Sequence, residues 1–94
     1  MAKFNYGQLV ATSSVAETSR DNTKFTEFVW KSFQRHINGD WGDLCEEDKA
    51  LNDSALKNGD DRLFSSYTNE NGVKIWIITE WDRSVTTILF PEEY

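Results

Sequence analysis

From Lys24 onward the apolar residues Phe25, Phe28, Val29, Phe33 and Ile37 recur at steps of mostly three or four. That spacing puts them on one face of an amphipathic helix and predicts a helix over 24–37. Asp21-Asn22-Thr23 offers its start, and Asn38-Gly39 its end, since both residues tolerate the left-handed conformation of a helix C-terminus. A second helix is predicted over 46–57. Its first turn is crowded with acids, which the helix dipole favours, and Leu51, Ala55 and Leu56 form its expected buried stripe before Asn58-Gly59 closes it. Cys45 falls at its N-cap, where Ser or Asp would bond the orphan amides better.

After residue 61 the period changes. Leu63–Thr68, Val73–Trp81 and Val85–Phe90 are rich in β-branched and aromatic residues and read as strands. Asn71-Gly72 between the first two carries a hairpin signal, Asp82-Arg83-Ser84 turns the chain, and Pro91 stops the last strand. At the other end Phe4–Ala11 reads as a strand with a bulge at Gly7. Ser14 followed by Glu17 matches a capping box, so a short helix over 15–20 is expected. The order is β-α-α-β-β-β with the short extra helix. It predicts a single α+β domain over 1–94, an antiparallel β-sheet with helices packed on one face. Where the first strand joins the sheet is left open. Trp76 points opposite to Ile75 and Ile77, so it faces away from the helices or toward a partner.

Composition adds an aromatic-rich core: six Phe, four Trp and three Tyr in a chain that has room for one modest core. One Cys excludes an internal disulfide, which suits a reducing compartment. The first residues carry no apolar signal core, and no run approaches the roughly 20 apolar residues of a membrane span. A cytoplasmic protein is expected.

Charge is localised. Residues 40–61 hold eight acids, Asp40, Asp43, Glu46, Glu47, Asp48, Asp53, Asp60 and Asp61, against Lys49 and Lys57, and so carry the whole net charge of −6. The rest of the chain balances, eight acids against eight bases. Either this is a solvated face, or it is a surface for a protein partner that is itself basic. Direct nucleic-acid binding is disfavoured, because no basic patch exists to neutralise phosphates.

The candidate chemistry is thin. His36, the single histidine, is expected as a capping or surface residue in the last helical turn. Cys45 near His36 and Asp43 hints at a nucleophile site, but the acids that follow it oppose a thiolate. One Cys and one His do not make a zinc site; no metal and no cofactor are expected. Glu80 and Asp82, flanking Trp81, together with Asp40 and Asp43, are the carboxylates an enzyme would use. Trp41, held between glycines, is expected to fold over the helix junction with Asp43 bonding backbone amides. Trp41 and Trp81 are also the candidate binding anchors.

The blocks Gly39-Asp40-Trp41-Gly42-Asp43-Leu44, Ile75-Trp76-Ile77-Ile78-Thr79-Glu80 and Asp82–Tyr94, with Phe4–Thr12 at the start, resemble a family of small bacterial, phage and plasmid-related proteins for which no activity is established. Cys45 and Trp81 depart from its usual pattern. The resemblance implies a non-catalytic mobile-element accessory protein, an inhibitor of a host defence system such as CRISPR or restriction, binding a basic protein through the acidic segment. The alternatives are a small enzyme or metal-binding protein using carboxylates near Asp40, Asp43, Glu80 and Asp82, and a housekeeping domain, for instance a homodimer.

Overall fold

A computed structural model describes residues 2–94. The elements in chain order are β1 (Gln8–Ala11), α1 (Ser13–Arg20), α2 (Thr23–Ile37), α3 (Glu46–Asn58), β2 (Leu63–Thr68), β3 (Lys74–Thr79) and β4 (Val85–Leu89), with a 3-10 turn at Pro91–Glu93. They form an α+β fold: a four-stranded mixed sheet of order β1-β4-β3-β2 with three helices packed against it. β2, β3 and β4 make the expected antiparallel meander. β1 joins at the far side of β4 and runs parallel to it, pairing Gln8 with Val85 and Ala11 with Ile88.

Local chemistry sets the element ends. Thr12 caps α1 through Val15 N–H, two residues upstream of the expected Ser14 cap. Asn22 caps α2 through Phe25 N–H. Gly39 and Gly59 end their helices in the left-handed region, at φ 81° and 67°. β1 is shorter than the sequence predicts. Gly7 turns the chain at φ 64°, packed against the Ser84 backbone too closely for any side chain, so Phe4–Tyr6 leave the ladder, and the Phe4 and Tyr6 rings pack against the core.

Side chains at alternate strand positions divide the two sheet faces. Tyr67, Ile75, Ile77 and Ile88 meet Val15, Phe25, Phe33 and Ile37 of α1 and α2 in the main core. The opposite face carries Phe64, Trp76, Ile78 and Leu89 in neighbouring registers. The end of the chain crosses it: Tyr94 packs edge-on to Trp76, and Glu93 accepts hydrogen bonds from Thr12 Oγ1 and Phe90 N–H.

His36 departs from expectation. It is not a surface cap but a fully buried residue at the centre of the helix–sheet interface. The reason is register: His36 lies three and four positions from Phe33 and Ser32, on the buried stripe of α2. Its Nδ1 lies 2.5 Å from Ser65 Oγ and its Nε2 2.9 Å from Thr79 Oγ1. Thr79 Oγ1 is 2.7 Å from Thr86 Oγ1, which donates to the Tyr6 carbonyl. A carbonyl can only accept, so the bond directions follow back as far as Nε2, and on a neutral ring Nδ1 is then the acceptor. Thr86 gives its proton to Tyr6, Thr79 gives its own to Thr86, His36 donates from Nε2 to Thr79, and Nδ1 accepts from Ser65. This chain satisfies a neutral imidazole at both nitrogens and ties α2 to β2, β3, β4 and the N-terminal segment. Burial pushes the His36 pKa down to about 3.

The unfolded chain takes up this proton near pH 6.5, whereas the folded chain resists it to about pH 3. Falling pH therefore favours the unfolded state: the stability present above pH 6.5 should decline by about 1.4 kcal/mol per pH unit below it. Asp40 and Glu93, whose carboxyls are also depressed, add to this loss only at lower pH, in the carboxylate range. Urea unfolding measured from neutral pH to about pH 5 should show the slope in the wild type and lose it in His36→Gln.

Candidate functional site

The acidic segment begins where α2 ends. Asp40 pairs with Arg35 at 2.7 Å and accepts the Gly42 N–H. The Arg35 bond holds the Asp40 carboxyl below its usual range and raises Arg35 in turn. The Asp40 carbonyl accepts from Tyr67 Oη at 2.6 Å, and burial pushes that phenol's pKa up. Gly42, at φ 77°, lies against Ser66 O and the Tyr67 ring, where any Cβ would collide. These contacts hold the loop beside β2: Ser66 N–H donates to Trp41 O, and Asp43 N–H donates to Ser66 O.

Trp41 is only 3% exposed. It packs with Ala55, Leu63 and Phe4, meets the His36 ring edge-on, and donates from Nε1 to Asp53 at 2.9 Å. It folds over the helix junction as expected, and that burial corrects its reading as a surface anchor: no face of it is left for a partner. Asp43 also differs from expectation. It contributes its own amide, while the carboxylate that bonds a loop amide is that of Asp40.

α3 lies along the outer side of β2, turned relative to the sequence expectation. Asn52, not Leu51, points inward. Its side chain donates to Phe64 O at 2.6 Å and accepts from Phe64 N–H at 3.0 Å, sealing the sheet edge much as another strand would. With Asn52 and Ala55 buried, Leu51 falls on the outer face and is 68% exposed. Glu47 and Asp48 are its neighbours one turn earlier. Beside it a shallow groove of about 280 Å³ is lined by Asp48, Leu51, Asn52, Asp61, Arg62 and Phe64.

The eight acids fall into two sets. Asp40 is paired with Arg35, Asp53 holds Trp41, and Asp61 accepts its neighbour's amide at Arg62. Asp43, Glu46, Glu47, Asp48 and Asp60 are exposed, and none of them makes an ion pair among the described residues.

Glu80 and Asp82 lie elsewhere, beyond the end of the sheet where Leu63 pairs with Thr79. Asp82 accepts from both Ser84 N–H and Ser84 Oγ, which makes it a turn residue and depresses its carboxyl. Asp40 and Asp43 sit along β2 at Ser66, so the four carboxylates are not gathered into one pocket. Trp81, at 64% exposure, stands out from the same turn. Among the described residues no group of three or more His, Cys, Asp or Glu side chains is arranged to hold a metal ion. Cys45 is exposed at the α3 N-cap and makes no capping bond.

In the sequence Arg83 reads only as part of the Asp82-Arg83-Ser84 turn. It adopts φ 61° in the turn, and its guanidinium donates to the carbonyls of Asp61, Ala55, Glu80 and Trp81. One side chain thus joins the last turn of α3, the α3–β2 connection and the β3–β4 turn. It finds backbone oxygens rather than a carboxylate.

Replacing Asn52 with Ala would leave both the Phe64 N–H and C=O without partners in a half-buried place. We expect a loss of about 2–4 kcal/mol, against less than about 0.5 kcal/mol for Leu51→Ala on the exposed face. Denaturant midpoints of the two variants check the orientation of α3 directly.

No helix of the described chain is long and apolar enough to cross a membrane. In comparisons with known proteins, no family model, curated protein or solved structure matches this chain.

Proposed function

We propose that the protein is a non-catalytic interaction module whose α3 face binds a basic protein partner. The observation that carries this reading is Leu51: this large apolar residue of α3 is left 68% exposed, with Glu47 and Asp48 one turn away and Glu46 and Asp60 exposed on the same segment. A solvated face needs no such residue. A binding face has use for an apolar centre inside a charged rim, since the rim steers the encounter and the desolvated centre holds the complex. The state of the other candidates supports the same reading. His36 and Trp41 are committed to the core, and Glu80 and Asp82 are remote from Asp40 and Asp43. The resemblance to phage and plasmid proteins is the ground for reading the module as a mobile-element accessory protein, directed against a host factor with a basic surface.

The two parts of the face should separate kinetically. Neutralising Glu46, Glu47, Asp48 and Asp60 to Gln or Asn should slow association and flatten its salt dependence. Leu51→Ala should speed dissociation and leave the salt dependence unchanged. Wild type and both variants would be immobilised, challenged with host lysate at low and high salt, and then measured against the purified protein that the wild type retains. Equal retention by all three would contradict the proposal.

A further inference from the structure

The two edges of the sheet are finished differently. At the β2 edge Asn52 bonds the Phe64 backbone and the Trp41–Asp43 segment bonds Ser66. At the β1 edge nothing among the described residues pairs with the strand. Gln8 N–H and Thr12 N–H reach β4 at Ser84 O and Ile88 O. In a parallel ladder alternate residues bond the same neighbour, so Leu9 and Ala11 turn their amides and carbonyls outward. Proteins protect such an edge with charge, proline or a covering element. The segment Asn5–Ser14 contains neither a charged residue nor a proline. Under the same edge an apolar groove of about 310 Å³ opens between β1, α1 and α2, lined by Leu9, Ala16, Val29, Trp30 and Phe33.

We infer that this edge pairs with a second copy of the chain, β1 against β1 antiparallel, to make one continuous eight-stranded sheet from two four-stranded ones. The charge distribution selects this occupant. The net −6 resides in residues 40–61, at the β2 side of the sheet, so a contact between copies there would bring like charge together. At the β1 edge the strand is uncharged, and α1, which follows it, carries one acid, Glu17, and one base, Arg20. Two copies meet there without net repulsion and carry their acidic segments to opposite ends of the joined sheet. The register follows from which groups point outward. With a two-fold axis at Val10, Leu9 of each copy faces Ala11 of the other as a hydrogen-bonded pair that exchanges both N–H···O=C bonds. Val10 faces its own counterpart on the axis, in the closer, non-hydrogen-bonded type of pair with Cα atoms about 4.5 Å apart. Such an interface is self-complementary, as two-fold symmetry requires.

Sedimentation velocity and light scattering on the full chain test this. The wild-type mass should rise with concentration from the chain mass of 10.9 kDa toward twice that value. Ala11→Pro removes an outward donor and no bond to β4, and should hold the protein at the monomer mass with its circular dichroism unchanged. Val10→Lys and Val10→Glu should each do the same by placing like charges across the axis, and mixing the two should restore a dimer. If the proline variant fails to fold, the Val10 pair decides. A wild type that stays monomeric at every concentration overturns the inference. So does a dimer that survives the Val10 variants, a mixture that does not recover dimer, or a dimer that strengthens when the α3 acids are neutralised, which would locate the contact at α3.

Discussion

The buried imidazole of His36 is the constraint on which the rest of the fold depends. Helix α2 crosses a sheet whose inner face is not wholly apolar: Ser65, Thr79 and Thr86 stand among Ile75, Ile77 and Ile88. Each hydroxyl, left alone, would cost about 1–3 kcal/mol. His36 connects them into one directed chain that ends on the Tyr6 carbonyl. It also lies within aromatic contact of Phe4 and Trp41, so the N-terminal segment and the loop after α2 close over it. The bonds running back from the Tyr6 carbonyl require a proton on Nε2, and burial disfavours a second one on Nδ1. The ring is therefore neutral, and its partners determine the tautomer.

That arrangement accounts for where several polar and aromatic side chains are committed to the fold. The only histidine is committed to structure, the loop tryptophan to the second core with Asp53 as its partner, and Arg83, at positive φ, to holding three segments by their carbonyls. Two exposed features carry the proposals above: the outer side of α3, with Leu51 among uncommitted acids, and the unpaired edge of β1. They lie at opposite sides of the sheet, so the two proposed contacts would not compete for the same surface.

Much of the architecture was legible because it depends on local spacing. The steps from Phe25 to Ile37 specify α2, the β-branched runs specify the meander, and Asn38-Gly39 and Asn58-Gly59 mark helix ends at positive φ, as the backbone requires. What escaped depends on tertiary placement. Leu51 and Asn52 are adjacent, and hydrophobicity alone favours burying Leu51. The decision belongs to the orphaned Phe64 amide and carbonyl at the sheet edge, which only Asn52 can satisfy. His36 reads as a surface residue because its partners are 29 and 43 positions away. Trp41 was placed correctly by its glycine flanks, but Asp53 as its partner carried no signal twelve positions away. The parallel pairing of β1 with β4 joins the two ends of the chain, which no local pattern records.

The neutral, directed state of His36 is the central claim, and the imidazole itself can be read. Long-range proton–nitrogen correlation spectra of the labelled protein, recorded from pH 7.5 down to about pH 5, distinguish the two neutral tautomers from each other and from the cation. The network requires the Nε2–H tautomer, with nitrogen and ring-proton shifts that stay constant across the range and an Nε2 proton that exchanges slowly with water. A ring that titrates near its ordinary pKa, or that carries its proton on Nδ1, would contradict it.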